Sequence, residues 1–202
     1  MFGIGLLAIG LQYELDPTWP LAGLPPAACA FSAAAVDDRN KEVHVIQRGP
    51  HMPPMLVFST VSGRLIRTYG NRTTVTFANG TWGSHGLSIR FSPGGAEPQL
   101  WVFDFFAGKI RVFSTQGEPI ATAGSAQGNS TAPLQFGNVA DGAFDPAGRL
   151  AVVADGDGGV NNRVVACTCS SGDSISRSVR WYSVHRCRRR SSSSRVAVEY
   201  VA

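Results

Sequence analysis

Short runs of alternating apolar and polar residues recur along this chain, and glycine, proline, asparagine and aspartate separate them. The run "KIRVFSTQGEPIATAG" at 109–124 repeats the pattern of "MLVFSTVSGRLIRTYG" at 55–70, with the letters V-F-S-T 55 residues apart. In both, an alternating run, a turn containing glycine and a second alternating run follow one another, which is typical of a β-hairpin. The pattern predicts one hairpin that recurs as part of a repeated unit.

The repeated unit extends upstream of this hairpin. Val36, Ile89 and Phe144 lie at equivalent positions of a first strand, at spacings of 53 and 55 residues. A polar turn and a second alternating strand follow each of them, and the second strands are predicted at 43–46, 100–103 and 150–153. The unit therefore contains four short strands, and no long segment of helical periodicity interrupts them.

Four-stranded units at this period predict an all-β fold, a partial β-propeller in which each unit is one blade. A β-sandwich is the alternative because it also contains short strands at regular spacing, but it does not predict a fixed period. Residues 31–165 hold about two and a half units, whereas closed propellers have four to eight blades. Open strand edges and uncovered blade faces are therefore expected unless another chain covers them.

The two ends of the chain differ from the repeat region. Residues 1–30 form an apolar lead-in, interpreted as a degenerate signal peptide, a misplaced start or a lead-in strand, and its apolar run is too short to span a bilayer. Over residues 166–202 the third and fourth strands of the third unit are not recognisable, and serine and arginine are abundant. This segment is interpreted as a frame-shifted, non-native tail, with a disordered Arg/Ser tail or a divergent domain as alternatives.

Charge is distributed unevenly along the chain. Residues 1–165 carry 11 Lys and Arg against 12 Asp and Glu, while residues 166–202 carry 7 against 2. The repeat region thus lacks the basic surface of a nucleic-acid-binding protein, and no nucleic-acid partner is expected for it. The four cysteines have no spacing that completes a zinc site.

Three N-x-S/T sequons lie close together in turn-like segments, at Asn71, Asn79 and Asn129. Glycan acceptors occupy exposed loops of secreted chains. The sequons therefore predict a glycoprotein that is secreted or resides in the secretory lumen.

A loop rich in aspartate and glycine follows the second strand of the third unit. Asp155, Asp157 and Asn161 could supply oxygen ligands to calcium. The D-x-D-x-x-x-N spacing lacks the distal glutamate of an EF-hand, and a blade turn uses the same residue types for left-handed backbone positions. The sequence leaves both interpretations open and favours the turn.

The segments "AGKIRVFSTQGEPIATAG", "HGLSI", "WVFD" and "VADGDGGVNNRVV" resemble NHL-repeat propellers, and their order over residues 13–165 is similar to a secreted branch of that family. More distantly, the chain is similar to the peptidyl-α-hydroxyglycine α-amidating lyases. The resemblance implies a six-bladed propeller, of which this chain would form roughly the first half.

In the lyases, three histidines from different blades hold zinc on the propeller axis, and arginine and tyrosine side chains flank the substrate. By position, the resemblance implies that His85 is a zinc ligand and that Arg48 is an active-site arginine. The other two units have Ser32 and Ala140 at the position of His85. The alternative for His85 is a polar residue bonded to a backbone group. The lyase tyrosine has no counterpart after Asp155, and the later zinc histidines belong to later blades.

Two functional hypotheses follow. The first is a non-catalytic, secreted NHL-type propeller, or a truncated product of such a gene, that binds an unknown protein or glycan through its loops. The second is a fragment of a zinc-dependent amidating lyase, for which zinc and calcium would be the cofactors. The two hypotheses differ in their demand for metal.

Overall fold

The computed structural model describes residues 16–20, 24–91, 95–124, 135–157, 161, 163–168 and 181–185. Within these ranges the regular structure consists of β-strands, and no α-helix is present. A helix long and apolar enough to cross a bilayer is accordingly not found in the described part of the chain.

Most of the strands form three antiparallel sheets of four strands, called blades 1, 2 and 3 below. Blade 1 contains β1 (Phe31–Asp37), β2 (Glu42–Gln47), β3 (Met55–Ser59) and β4 (Leu65–Tyr69). A short hairpin follows, made of β5 (Phe77–Ala78) and β6 (Thr81–Trp82). Blade 2 contains β7 (Ser84–Arg90), β8 (Gln99–Asp104), β9 (Lys109–Ser114) and β10 (Pro119–Ala123). Blade 3 contains β11 (Val139–Phe144), β12 (Leu150–Asp155), β13 (Arg163–Thr168) and β14 (Trp181–His185).

The first strands of the three blades lie side by side. Strand β7 contacts β1 and β11, and the other strands of each blade follow outward in chain order. Four-stranded sheets arranged around a common set of inner strands are the architecture of a β-propeller. The prediction of an all-β, partial propeller is therefore confirmed, and β1, β7 and β11 lie nearest its axis.

The third unit is more complete than the sequence predicts. Strand β13 pairs with β12 along its whole length, and β14 pairs with β13 from Trp181 to His185. The expectation of two and a half blades is thus corrected to three four-stranded blades, because antiparallel pairing satisfies the backbone whether or not the side chains alternate. Of the predicted tail at 166–202, the remaining residues, 169–180 and 186–202, lie outside the described residues, as does most of the lead-in at 1–30.

Polar turns join the first and second strands where the sequence places them. In blade 1, Asp37 Oδ1 accepts hydrogen bonds from the backbone N–H groups of Arg39 and Asn40, at 3.0 and 3.2 Å. In blade 3, Asp145 Oδ1 accepts from the backbone of Arg149 and Leu150, both at 2.6 Å. An aspartate that caps its own turn in this way fixes the hairpin and hence the register of the two strands.

Two apolar clusters fill the spaces between neighbouring blades. The cluster between blades 1 and 2 contains Ile46, Met55, Val75, Trp82, Leu87, Leu100, Val102 and Phe113. The cluster between blades 2 and 3 contains Trp101, Phe103, Ile110, Val112, Ala123, Phe136, Val139, Ala151, Val153, Val165 and Cys167. The fold is therefore held together by contacts between blades, as a repeat protein requires.

Each first strand carries a β-bulge near its start. The register shifts fall between Phe31 and Ala33, between Ser84 and Gly86, and between Val139 and Asp141. The bulged residues are therefore those that the repeat makes equivalent: Ser32, His85 and Ala140. A bulge turns a side chain out of the regular alternation of its strand, which is why it often lies beside a functional site.

Gly86 allows the inner strands of blades 2 and 3 to approach closely. A Cβ atom at this position would lie 2.8 Å from the Cα of Asp141 and would also meet the carbonyl oxygen of Ala140. We expect Gly86→Ala to lower the free energy of unfolding by about 1–3 kcal/mol, because backbone atoms must move to admit the methyl group. Urea unfolding followed by tryptophan fluorescence measures the change. Ala34→Val, at an exposed position of β1, is the control, and equal midpoints for both variants would contradict the prediction.

Candidate functional site

The last residue of each second strand anchors the segment that leads into its own blade. Gln47 Oε1 accepts from the backbone N–H of Cys29 at 3.4 Å, Asp104 Oδ2 from Thr76 at 3.0 Å, and Asp155 Oδ1 from Gly137 at 2.7 Å. All three side chains are buried. These anchors fix the loops at one end of the propeller. Sequence reasoning missed them, although the final letters of "VHVIQ", "WVFD" and "VVAD" mark the position.

The residues of the predicted calcium site have different partners. Asp155 Oδ2 accepts from the Asn161 amide at 2.9 Å and from Arg163 Nε at 2.8 Å, so its carboxylate is already neutralised by a cation. Asp157 instead points its carboxylate at His85, 3.2 Å from Nε2. The geometry thus uses Asp155 as a blade anchor and Asp157 as a loop contact, and calcium binding by Asp155, Asp157 and Asn161 stays a prediction.

His85 lies on the bulge of β7 and bridges two blades. Its Nδ1 lies 3.2 Å from the carbonyl oxygen of Ala140 in β11, and its Nε2 faces Asp157 in the loop after β12. Its ring stacks on that of Phe105, with centroids 5.7 Å apart and planes 26° from parallel. The side chains of His85 and Asp157 are 35% and 47% exposed, so both are open to a ligand. The interpretation of His85 as a residue bonded to a backbone group agrees with this geometry.

Arg48 follows β2 at the same end of the propeller. Its Nε donates to the carbonyl oxygen of Trp82 at 3.0 Å, and its guanidinium lies over the ring of Phe106, 5.8 Å from the centroid. The backbone of Arg48 is fixed too, because its carbonyl accepts from the N–H of Trp82 at 3.1 Å and from the hydroxyl of Thr81 at 2.7 Å. The arginine is therefore held in one orientation and remains half-buried.

Two adjacent aromatic residues link these groups into one surface. Phe105 and Phe106 follow β8, and their rings meet edge to face with centroids 5.6 Å apart. The contacts thus form a continuous series, called the rim strip below. Its members, in order, are Arg48, Phe106, Phe105, His85 and Asp157. The strip joins loops of all three blades and combines a guanidinium, two aromatic rings, an imidazole and a carboxylate. The sequence singles out Arg48, His85 and Asp157 but gives no signal for Phe105 and Phe106.

The rim strip offers two of the protein ligands that a zinc ion needs. A histidine whose Nδ1–H is held by a carbonyl presents Nε2 outward, which is the usual orientation of a metal ligand. His85 Nε2 and Asp157 Oδ2 would be two ligands, whereas a catalytic zinc needs about three from the protein. Among the described residues, no third metal-ligating side chain joins them. The described residues therefore do not make a zinc centre by themselves.

A buried cluster of Asp37, Glu42 and His44 brings three possible metal-ligating groups together elsewhere in blade 1. Glu42 already forms a bidentate ion pair with Arg67, with both N to O distances 2.7 Å. His44 is fully buried between Glu42 and Tyr69. Desolvation lowers the pKa of His44 to about 4, while burial raises the pKa of Tyr69. The arrangement stabilises a neutral histidine beside an ion pair, which is a structural role.

Two of the predicted glycan acceptors lie on the surface. Asn71 is exposed, and its side-chain oxygen accepts from the backbone and the hydroxyl of Thr73, at 2.9 and 2.6 Å. Asn79 is also exposed and has a φ of 51° in the turn between β5 and β6. Asn129 lies outside the described residues. The glycosylation of all three remains a prediction.

Comparisons with known proteins give sequence relatives. No protein-family model matches the chain. The chain is similar to NHL repeat-containing protein 3 of Mus musculus, 33% identical over 159 residues, and to that of Homo sapiens, 32% identical over 161 residues. The matched regions cover 76% and 77% of this chain but 42% and 43% of the relatives, so the chain spans less than half of their length.

The solved structures are less similar in sequence to this chain than these two relatives are. A structure described as the eukaryotic initiation factor gives a TM-score of 0.47 at 14% identity, covering 78% of this chain and 33% of that chain. A functionally unknown protein from Desulfotomaculum acetoxidans gives a TM-score of 0.39 at 11% identity, covering 76% and 56%. The fold is therefore assigned from the sheets of the chain itself.

Proposed function

Because the chain belongs to the NHL-repeat family, we propose that it is a non-catalytic binding scaffold of the secretory pathway whose contact surface is the rim strip. The continuous series of contacts from Arg48 to Asp157 carries this proposal. Arginine and aromatic side chains dominate the binding energy at many protein interfaces, because they offer large areas and directed hydrogen bonds. The strip presents such groups on loops that the buried anchors hold in place.

The partner is a protein or a glycan. Aromatic rings such as Phe105 and Phe106 can pack on the apolar face of either ligand, and the guanidinium of Arg48 can bind a carboxylate or a hydroxyl group. The exposed sequons at Asn71 and Asn79 support the assignment to the secretory pathway, where glycans are added and such partners occur.

We expect the double variant Arg48→Gln with His85→Gln to weaken binding at least about tenfold, because the guanidinium and the imidazole of the strip are replaced by uncharged amides. The measurement is titration of the strongest binder from an array of glycans and secreted-protein peptides. The double variant Arg64→Gln with Arg149→Gln replaces two exposed arginines in turns between strands, outside the contacts that form the strip. Equal affinities of the two double variants would contradict the proposal.

A fragment of a zinc-dependent amidating lyase is the second candidate, favoured by the outward Nε2 of His85 and the carboxylate beside it. It predicts that zinc binds to the chain and that His85→Ala abolishes this binding. A chelator competition assay measures zinc, and release of glyoxylate from a peptidyl-α-hydroxyglycine measures the reaction. Since only two ligands meet at His85 within the described part of the chain, we expect neither signal; both together would favour the lyase over the scaffold.

A further inference from the structure

The turn between β5 and β6 places an asparagine and a glycine at the surface of the molecule. Ala78 pairs with Thr81 across this turn, so Asn79 and Gly80 form a two-residue hairpin loop. Their φ angles are 51° and 74°, and both residues are exposed. Two positive φ angles are typical of a type I′ turn, in which Asn-Gly is a preferred pair. The fold thus presents Asn79 to solvent and follows it with a residue that has no side chain.

The groups around Asn79 have few contacts. Within the described part of the chain, neither the Asn79 side chain nor the backbone N–H of Gly80 forms a hydrogen bond. A Cβ atom built on Gly80 would meet no heavy atom within 4 Å apart from those of its chain neighbours. The side-chain amide of Asn79 and the backbone nitrogen of Gly80 can therefore approach each other without displacing other residues.

Asn71 is the matched comparison, because it is also exposed but is held differently. Its Oδ1 accepts from the backbone N–H of Thr73 at 2.9 Å and from the Thr73 hydroxyl at 2.6 Å. The residue that follows it is Arg72, whose guanidinium lies over the ring of Phe77, 4.5 Å from the centroid. The side chain of Asn71 is therefore fixed, and the residue after it carries a side chain that hinders its backbone nitrogen.

We propose that Asn79 is a site of spontaneous deamidation in the unglycosylated protein. The backbone nitrogen of Gly80 attacks Cγ of Asn79, so that an N–Cγ bond forms and the Cγ–Nδ2 bond breaks. Nδ2 leaves as ammonia and takes the proton that the Gly80 nitrogen gives up. Water then opens the succinimide ring at either carbonyl and leaves aspartate or isoaspartate. Asparagine is one of the thermolabile residues of proteins, and a following glycine offers the least steric hindrance to this attack.

The hairpin is short enough to open for this reaction. Strands β5 and β6 share two residue pairs, Phe77 with Trp82 and Ala78 with Thr81, whereas each blade pairs four strands. Local opening of so small an element costs far less free energy than unfolding a blade. The Asn79 backbone can thus leave its turn conformation and bring Cγ to the Gly80 nitrogen while the blades stay folded.

The same hairpin supports Arg48 of the rim strip. The Thr81 hydroxyl and the Trp82 N–H both donate to the Arg48 carbonyl, at 2.7 and 3.1 Å. An isoaspartate at position 79 adds one carbon to the backbone of the turn and so changes how the two strands of the hairpin meet. Deamidation should therefore loosen Arg48, and its effect on ligand binding rests on the proposed function of the rim strip.

Peptide mass spectrometry of the folded full chain, made in bacteria so that no glycan occupies Asn79, tests the proposal. During incubation at mildly alkaline pH, Asn79 should convert to aspartate and isoaspartate at least about tenfold faster than Asn71, a difference of about 1.4 kcal/mol in the barrier. Gly80→Ala should slow the conversion of Asn79 at least about tenfold, because a methyl group enters the path of attack. Circular dichroism confirms that this variant keeps its strands.

Hydrogen exchange separates the modification from its consequence for Arg48. The converted chain carries an added negative charge and can be isolated by ion exchange, and its Trp82 amide should exchange faster than that of the unconverted chain. Equal exchange would overturn the loosening of Arg48 even where Asn79 converts. Equal conversion of Asn79 and Asn71, conversion of Asn79 only in urea, or an unchanged rate in Gly80→Ala would overturn the deamidation site itself.

Discussion

Replacing Asp155 with alanine should lower the free energy of unfolding by about 3–5 kcal/mol, the usual cost of removing one partner of a buried ion pair. Asp155 is 1% exposed and accepts from three groups: the Gly137 backbone, the Asn161 amide and Arg163 Nε. Its loss would leave the Arg163 guanidinium, whose side chain is 6% exposed, without its carboxylate. It would also release the segment that enters blade 3. Urea unfolding of the full chain measures the change.

Asp157→Ala is the matched control for this variant. Asp157 lies two residues after Asp155, in the loop that follows β12, but its side chain is 47% exposed and its one described charge partner is His85. An exposed pair of this kind contributes about 0–1 kcal/mol. Similar losses for the two variants would contradict the distinction between a buried anchor and a surface contact.

Urea unfolding with added calcium chloride also tests the predicted calcium site. A calcium site at 155–161 would raise the wild-type midpoint when calcium chloride is added, because an ion that binds the folded state stabilises it. Since both oxygens of Asp155 already accept from protein donors, we expect the midpoint to stay unchanged. A calcium-dependent rise that Asp155→Ala abolishes would restore the calcium hypothesis.

The sequence predicts the repeat well because the relevant signals are local. Alternating apolar residues define the strands, and aspartate, proline and glycine define the turns, so the spacing of Val36, Ile89 and Phe144 places the blades. The same spacing identifies Ser32 and Ala140 as the equivalents of His85. All three prove to be bulge residues, although no feature of the sequence predicts a bulge at these positions.

Other features depend on contacts between distant segments and leave little trace in the sequence. Strands β13 and β14 pair by their backbones, so the loss of alternation after Val165 was misleading. Gln47, Asp104 and Asp155 are single polar letters at strand ends, and their role depends on a segment that arrives from outside the hairpin. The rim strip likewise needs three blades in place before its rings meet.

Acidification should lower the free energy of unfolding because His44 is buried as a neutral ring. This histidine is fully buried in β2, within the alternating run "EVHVIQ", which does not reveal on which face the ring lies. Desolvation lowers its pKa from 6.5 to about 4, and Arg67 adds to the decrease, while Glu42 opposes it. The neutral ring is therefore the stable form in the folded protein.

The free energy of unfolding should decrease as the pH falls, because the pKa of His44 is lower in the folded protein than in the unfolded chain. As the pH falls below about 6.5, the histidine of the unfolded chain takes up a proton before that of the folded chain, so protonation favours unfolding. The contribution of His44 is fully present above pH 6.5 and is lost as the pH falls towards 4. Over this window the loss should reach about 3 kcal/mol, because the pKa of His44 falls from 6.5 in the unfolded chain to about 4 in the folded protein.

We expect the variant His44→Gln to lose this pH dependence, because glutamine does not titrate. Urea unfolding at pH 7.5, 5.5 and 4.5 measures the stability of both proteins, and carboxylates that titrate in each cancel in the difference. His51→Gln, at an exposed site in the loop before β3, is the control and should keep the wild-type profile. Parallel profiles for wild type and His44→Gln would show that the proton uptake on unfolding arises elsewhere. A steeper wild-type profile would identify the cluster of Glu42, His44 and Arg67 as the acid-sensitive part of blade 1.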